Sequence, residues 1–194
     1  LAALEASLDE LSRDGALDPD QPHSMNVIRE QMGEIVAQPG GAEALVARYG
    51  ADERPAIVRP LAFLLGVAVN SRDGAHALAA PTLALIGALA TPDPWPRLNL
   101  CTATQRLLMF GAIGTLDPVR AAAVVKLLHE SLASVPAVRA TAVTVVADLF
   151  YGKRTALAAT DLDDLRQVVL GLVDDPDELT RDEARGLRAH LTGA

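Results

Sequence analysis

The sequence predicts an all-α fold, an α-α superhelix of about four helix pairs entered through two N-terminal capping helices. Three observations predict it. Half of the 194 residues are hydrophobic but only 3% are aromatic, so Ala, Leu and Val must build the core. Ala and Leu are strong helix formers, whereas strands favour alternating β-branched and aromatic residues. Apolar residues recur three and four apart, and the chain resembles itself at an interval near 40 residues.

The elements follow in order. Leu1, Leu4, Leu8 and Leu11 form one apolar stripe, broken by Asp14-Gly15 and the prolines at 19 and 22. Met25, Ile28, Met32 and Ile35 form a second stripe, with Ser24 as its expected N-cap. These two helices, residues 1–38, are read as capping helices, and residues 39–194 as the repeat array. Pro39-Gly40-Gly41 ends the second helix, and a short helix through Ala42, Leu45, Val46 and Tyr49 closes at Gly50. Pro81 lies inside a helical pattern and is expected to kink it, as is Pro60. Asp117-Pro118 places an N-cap and a first-turn proline at a helix start. Thr160 with Asp163 resembles a capping box, and Asp174-Asp175-Pro176 separates the last two helices.

Beyond residue 50 the segments align. With Arg59, Asn99, Arg139 and Arg181 in one column, the intervals are 40, 40 and 42 residues. One position earlier stand Val58, Leu98, Val138 and Thr180; three later stand the small residues Ala62, Thr102, Ala142 and Ala184. Ten later stand the apolar Val69, Met109, Leu149 and Leu191, and six earlier stand Glu53, Asp93, Ala133 and Asp175. A shift of 41 also maps Val124, Leu127, Leu128 and Leu132 onto Leu165, Val168, Val169 and Val173. A small residue is needed where the second helix of a pair crosses its neighbour closely, and one pair alone cannot bury its apolar face, so neighbours must stack.

Over residues 40–194 this pattern resembles the HEAT family of helical repeats. The matching runs are Glu53 with Val58-Arg59, Asp93 with Leu98-Asn99, and Asp175 with Thr180-Arg181; Val138-Arg139 matches, with Ala133 in place of the acid. Asn99 departs from the basic residue and Thr180 from the aliphatic one. The resemblance implies scaffolding or binding as function, and implies that the aligned acids and arginines tie neighbouring turns together rather than catalyse.

The net charge of −8 argues against nucleic acid as a main partner and against an anionic membrane surface, since both need a basic face. No run of 18 apolar residues predicts a transmembrane helix. Leu1 stands where Met would start a chain, so residues are expected to have been lost at its start. The single cysteine, Cys101, is expected to be a small buried hydrophobe, which fits a reducing, cytoplasmic setting.

No catalytic, metal or cofactor set is expected. The aspartates at 161, 163 and 164 and at 174, 175 and 177 look like the acid motifs of terpenoid enzymes, but those sites need aromatic-lined cavities; helix N-termini explain the acids better. His23, His76, His129 and His190 share no i, i+4 spacing. Arg181, Arg185 and Arg188 form a basic stripe, expected to pair along the helix with Asp177, Glu178 and Asp182.

The candidate binding residues are Trp95, Arg97, Arg106, Tyr151, Lys153 and Arg154. Trp95, the only tryptophan, sits in the proline-stiffened turn 91–97, where it either presents an anchor to a partner or folds back over the core. Lys153 and Arg154 follow Tyr151-Gly152 in a loop that, with Arg106, either contacts a peptide or is solvated. The expected function is therefore non-catalytic binding of a protein or peptide, with the acidic charge favouring a basic partner. The alternative is a small-molecule binder or an enzyme of the DNA-repair type on a helical-repeat scaffold, for which only Trp95 and Asp148 supply an aromatic and a carboxylate.

Overall fold

The computed structural model describes residues 1–152 and 156–192, with side chains to residue 190. Among the described residues the secondary structure is entirely helical. The helices are α1 (Ala2–Arg13), α2 (Pro22–Val36), α3 (Gly41–Tyr49), α4 (Pro55–Ala68), α5 (Arg72–Ala88), α6 (Pro94–Met109), α7 (Pro118–Leu132), α8 (Pro136–Tyr151), α9 (Ala159–Leu170) and α10 (Glu178–Thr192).

Helix starts follow chain chemistry. Five helices begin with proline, whose missing N–H costs nothing in the first turn. Asp117 caps α7 by accepting from the backbone N–H groups of Val119 and Arg120, both at 3.0 Å. Two expected caps fall elsewhere. α2 starts at Pro22, so Ser24 lies inside its first turn and is buried. α9 starts at Ala159, so Thr160 is already helical and no side chain caps that end. Helices α4 and α5 continue through Pro60 and Pro81. Gly40 turns the chain into α3 with φ of +74°, and a Cβ on Gly41 would lie 1.7 Å from the Ile35 carbonyl oxygen, so this junction requires the glycine pair.

Packing sorts the helices into two rows. Helices α2, α4, α6, α8 and α10 pack each on the next, as do α3, α5, α7 and α9, while sequential helices pack across from one row to the other. α1 packs on α2. The apolar core runs between the rows from Leu4 to Leu187. The small residues of the aligned column carry the close crossings: Ala62, Ala142 and Ala184 are fully buried. Gly66 makes another, since a Cβ there would come within 3.2 Å of the Asn99 carbonyl oxygen on α6. Of the apolar column ten residues on, Val69 and Leu149 are buried but Met109 is 65% exposed. Among the described residues no helix is long and apolar enough to cross a membrane.

Charged side chains tie successive turns of the even-numbered row. Arg59 donates to both oxygens of Asp93 from Nε and Nη2, at 2.5 and 3.2 Å. Arg139 reaches Asp175 at 3.0 Å. These links join an arginine of one unit to the acid of the next. At the intervening step both partners are missing, since Asn99 and Ala133 fill the corresponding places. At this step Arg97 on α6 donates instead across the rows to Glu130 on α7, from Nε and Nη2 at 3.1 and 2.9 Å.

Candidate functional site

Hydrophobic side chains exposed to water mark where a surface has unspent binding energy. Among the described residues, the exposed aromatics Phe63, Trp95 and Tyr151 lie on α4, α6 and α8, and the exposed Val67, Met109 and Leu179 lie on α4, α6 and α10. The even-numbered row thus carries most of the exposed apolar surface. The odd-numbered row contributes Val119.

Trp95 stands in the first turn of α6, held by local bonds. Asp93 caps the helix and accepts from the Trp95 N–H at 3.4 Å, and Asn99 Nδ2 donates to the Trp95 carbonyl oxygen at 3.1 Å. Pro94 and Pro96 on either side restrict the backbone. The indole does not fold back over the core; the residue is 43% exposed. It lines a groove of about 200 Å³ with Met25 and Arg29 from α2, Arg59, Pro60 and Phe63 from α4, and Asn99. The Arg29 guanidinium lies 5.5 Å from the centre of the Phe63 ring, a cation–π distance.

The other candidate residues separate by role. Arg97 is largely buried and consumed by structure: besides Glu130 it donates to the carbonyl oxygens of Pro92 and Asp93, at 3.1 and 3.0 Å. It stiffens the turn that presents Trp95. Arg106 donates to the Gly66 carbonyl oxygen, which belongs to the last turn of α4 and so lacks a helical donor. Its work is to cap α4 from α6. Tyr151 is exposed, its ring 4.1 Å from that of His190 in an edge-on arrangement. It lines a depression of about 210 Å³ with Leu108, Met109, Asp148 and Gly152. Lys153 and Arg154 lie outside the described residues.

Trp95 and Asp148 do not share a site. They line separate depressions, and Asp148 accepts a bond from Gln105 Nε2 at 2.8 Å. Several aspartates of the acidic motifs are engaged within the protein. Asp163 pairs with Arg166 at 3.4 Å and Asp164 with His129 at 3.0 Å. Asp177 caps α10, accepting from the Thr180 N–H at 2.9 Å and its hydroxyl at 2.7 Å. These bonds, the backbone one foremost, lower the Asp177 pKa below the ordinary carboxylate value. Of the C-terminal arginines, Arg181 pairs along its helix with Asp182 at 4.0 Å and donates back to the Asp175 carbonyl oxygen, and Arg185 donates back to the Val173 carbonyl oxygen and the Asp174 carboxylate. Both reach the turn because it precedes α10 directly. Cys101 is buried against the Ser131 hydroxyl, and burial pushes its pKa up to about 12.

Sequence reasoning missed Met25, Arg29, Arg59 and Phe63 as companions of Trp95. A signal existed: Arg59 and Asn99 share the aligned column, and Phe63 and Trp95 each stand one helical turn from it. A larger groove of about 530 Å³ between α7 and α9 was also missed; Leu116, Val125 and Leu157 line it, with Lys126, His129 and Asp161 among its polar residues. Comparison with protein-family models, with curated proteins and with solved structures yields no match to this chain.

Proposed function

We propose that this chain is a binding module, a HEAT-like α-α superhelix whose even-numbered helices present an aromatic face to a protein or peptide partner. One observation carries the reading: the exposed aromatics Phe63, Trp95 and Tyr151 all stand on one row of helices. The Arg59–Asp93 and Arg139–Asp175 links support the HEAT-like part, because they join turns of successive units as that resemblance implies. Aromatic anchors are enriched at binding hot spots because they remove much apolar area from water at small entropic cost. At roughly 25 cal/mol per Å² of apolar surface, covering several half-exposed aromatics contributes several kcal/mol toward association.

Photo-crosslinking tests the reading. A benzophenone amino acid is placed at Trp95, and in a second protein at Val119 on the opposite row, and each is irradiated in native cell extract. A discrete adduct from position 95 and none from 119 is the expected result. Equal labelling from both rows, or partner recovery unchanged by Phe63→Ala with Trp95→Ala, removes the proposed face.

A further inference from the structure

The groove at Trp95 differs in charge from the chain around it. The chain carries 25 acidic residues against 17 basic ones, yet the groove lining holds two arginines and no carboxylate. Of the two, Arg59 is occupied by Asp93 and Asp20. Arg29 is not: it is exposed, donates to the Asn26 side-chain oxygen at 2.5 Å and lies over the Phe63 ring. Of the twelve ion pairs among the described residues, none involves Arg29, although acids outnumber bases in the chain. The apolar part of the groove, from Met25, Pro60, Phe63 and Trp95, has room for about one large side chain. The larger groove between α7 and α9 has no comparable asymmetry, since its lining mixes Lys126 and His129 with Asp161.

We propose that this groove takes an acidic peptide segment of a partner protein, in which one large apolar side chain seats between Phe63 and Trp95 and a neighbouring Asp or Glu pairs with Arg29. The inference rests on the reading that the even-numbered face binds, and it reverses the partner charge that net charge alone favours. Net charge acts over a Debye length, about 8 Å at physiological salt, so groups inside the groove outweigh acids on distant faces for a ligand seated there. The cation over the Phe63 ring also keeps that aromatic in place for a second apolar group to stack on it.

Because Trp95 is the only tryptophan, its emission reports on the groove directly. A random dodecapeptide phage library is selected against the immobilised protein, and synthetic peptides from the enriched set are titrated while Trp95 emission is followed. The expected result is enrichment of Leu or aromatic residues beside Asp or Glu, with binding that weakens several-fold between 50 and 500 mM salt. Arg29→Glu should weaken binding at least about tenfold and Arg29→Lys by less than about threefold, with unchanged circular dichroism in both. Enrichment of Lys- or Arg-rich peptides that bind at Trp95 overturns the acidic-segment inference and leaves the binding face standing. Absence of enrichment, or enrichment that survives Phe63→Ala with Trp95→Ala, overturns both. A Trp95 shift that grows with protein concentration and no peptide assigns the groove to a second copy of the chain and also overturns the inference.

Discussion

The Arg59–Asp93 link makes a quantitative prediction. The Asp93 side chain is 5% exposed and Arg59 23%. Asp93→Ala removes two charge-assisted bonds from Arg59 and the cap on the Trp95 N–H. A lost N-cap costs about 1 kcal/mol, less here because the cap bond is long. Breaking a fully buried ion pair by removing one partner costs about 3–5 kcal/mol. Arg59 keeps some solvent contact and its bond to the exposed Asp20, so that cost falls by roughly half. The sum is a loss of about 2–3 kcal/mol. Asp93→Asn, which keeps a capping oxygen, should lose about 1–2 kcal/mol. In a double-mutant cycle with Arg59→Met the coupling should be about 1–2 kcal/mol. The exposed pair Arg185–Asp174, at 3.2 Å, serves as control and should couple by less than about 0.5 kcal/mol. Urea unfolding read by circular dichroism and by Trp95 emission gives these values. A coupling for Arg59–Asp93 no larger than the control would refute the claim that this link holds successive turns together.

Three further outcomes follow from individual sites. Gly186 on α10 has open space where a Cβ would stand, so Gly186→Ala should raise stability by about 0.5–1 kcal/mol; Gly66→Ala should lower it, because the Asn99 carbonyl oxygen at 3.2 Å belongs to a packed helix that cannot retreat. Thermal unfolding of the two variants beside the parent separates these signs. Cys101, with its pKa pushed up to about 12, should resist a thiol reagent at pH 8 in the folded protein and react at once in denaturant, and fast reaction of the native protein would contradict its burial. Asp177 has a pKa held below its unfolded value, so its contribution is fully present above the ordinary carboxylate range and is lost as pH falls through the lower, folded value. Amide protection in the first turn of α10, taken relative to exchange of the unstructured chain at the same pH, should therefore fall below about pH 4, and Asp177→Ala should show low protection at neutral pH with no further acid step.

The exposed face divides into what spacing revealed and what it concealed. Trp95 was legible as a candidate because a lone tryptophan in a triple-proline turn is unusual in an aromatic-poor chain. Arg97 and Arg106 looked equally available in sequence, but one is bound to Glu130 and the Asp93 carbonyl, and the other to the Gly66 carbonyl. Nothing local distinguishes an arginine facing water from one serving a neighbouring helix end. Met109 shows the same limit from the other side, standing in an apolar column yet exposed at the end of α6.

The sequence by itself determined the all-helical character and the positions of most turns, because helix period, proline at helix starts and Asp at caps are local properties of the chain. It also showed, at Asn99 and Ala133, two departures from the aligned pattern. Only the tertiary structure decided that Arg97 pairs with Glu130 at the step where those two departures leave no arginine–acid link. It alone brought Arg29, Phe63 and Trp95 together from three helices. The physical reason is that a side chain's partner across helices depends on crossing geometry, which no single helix encodes.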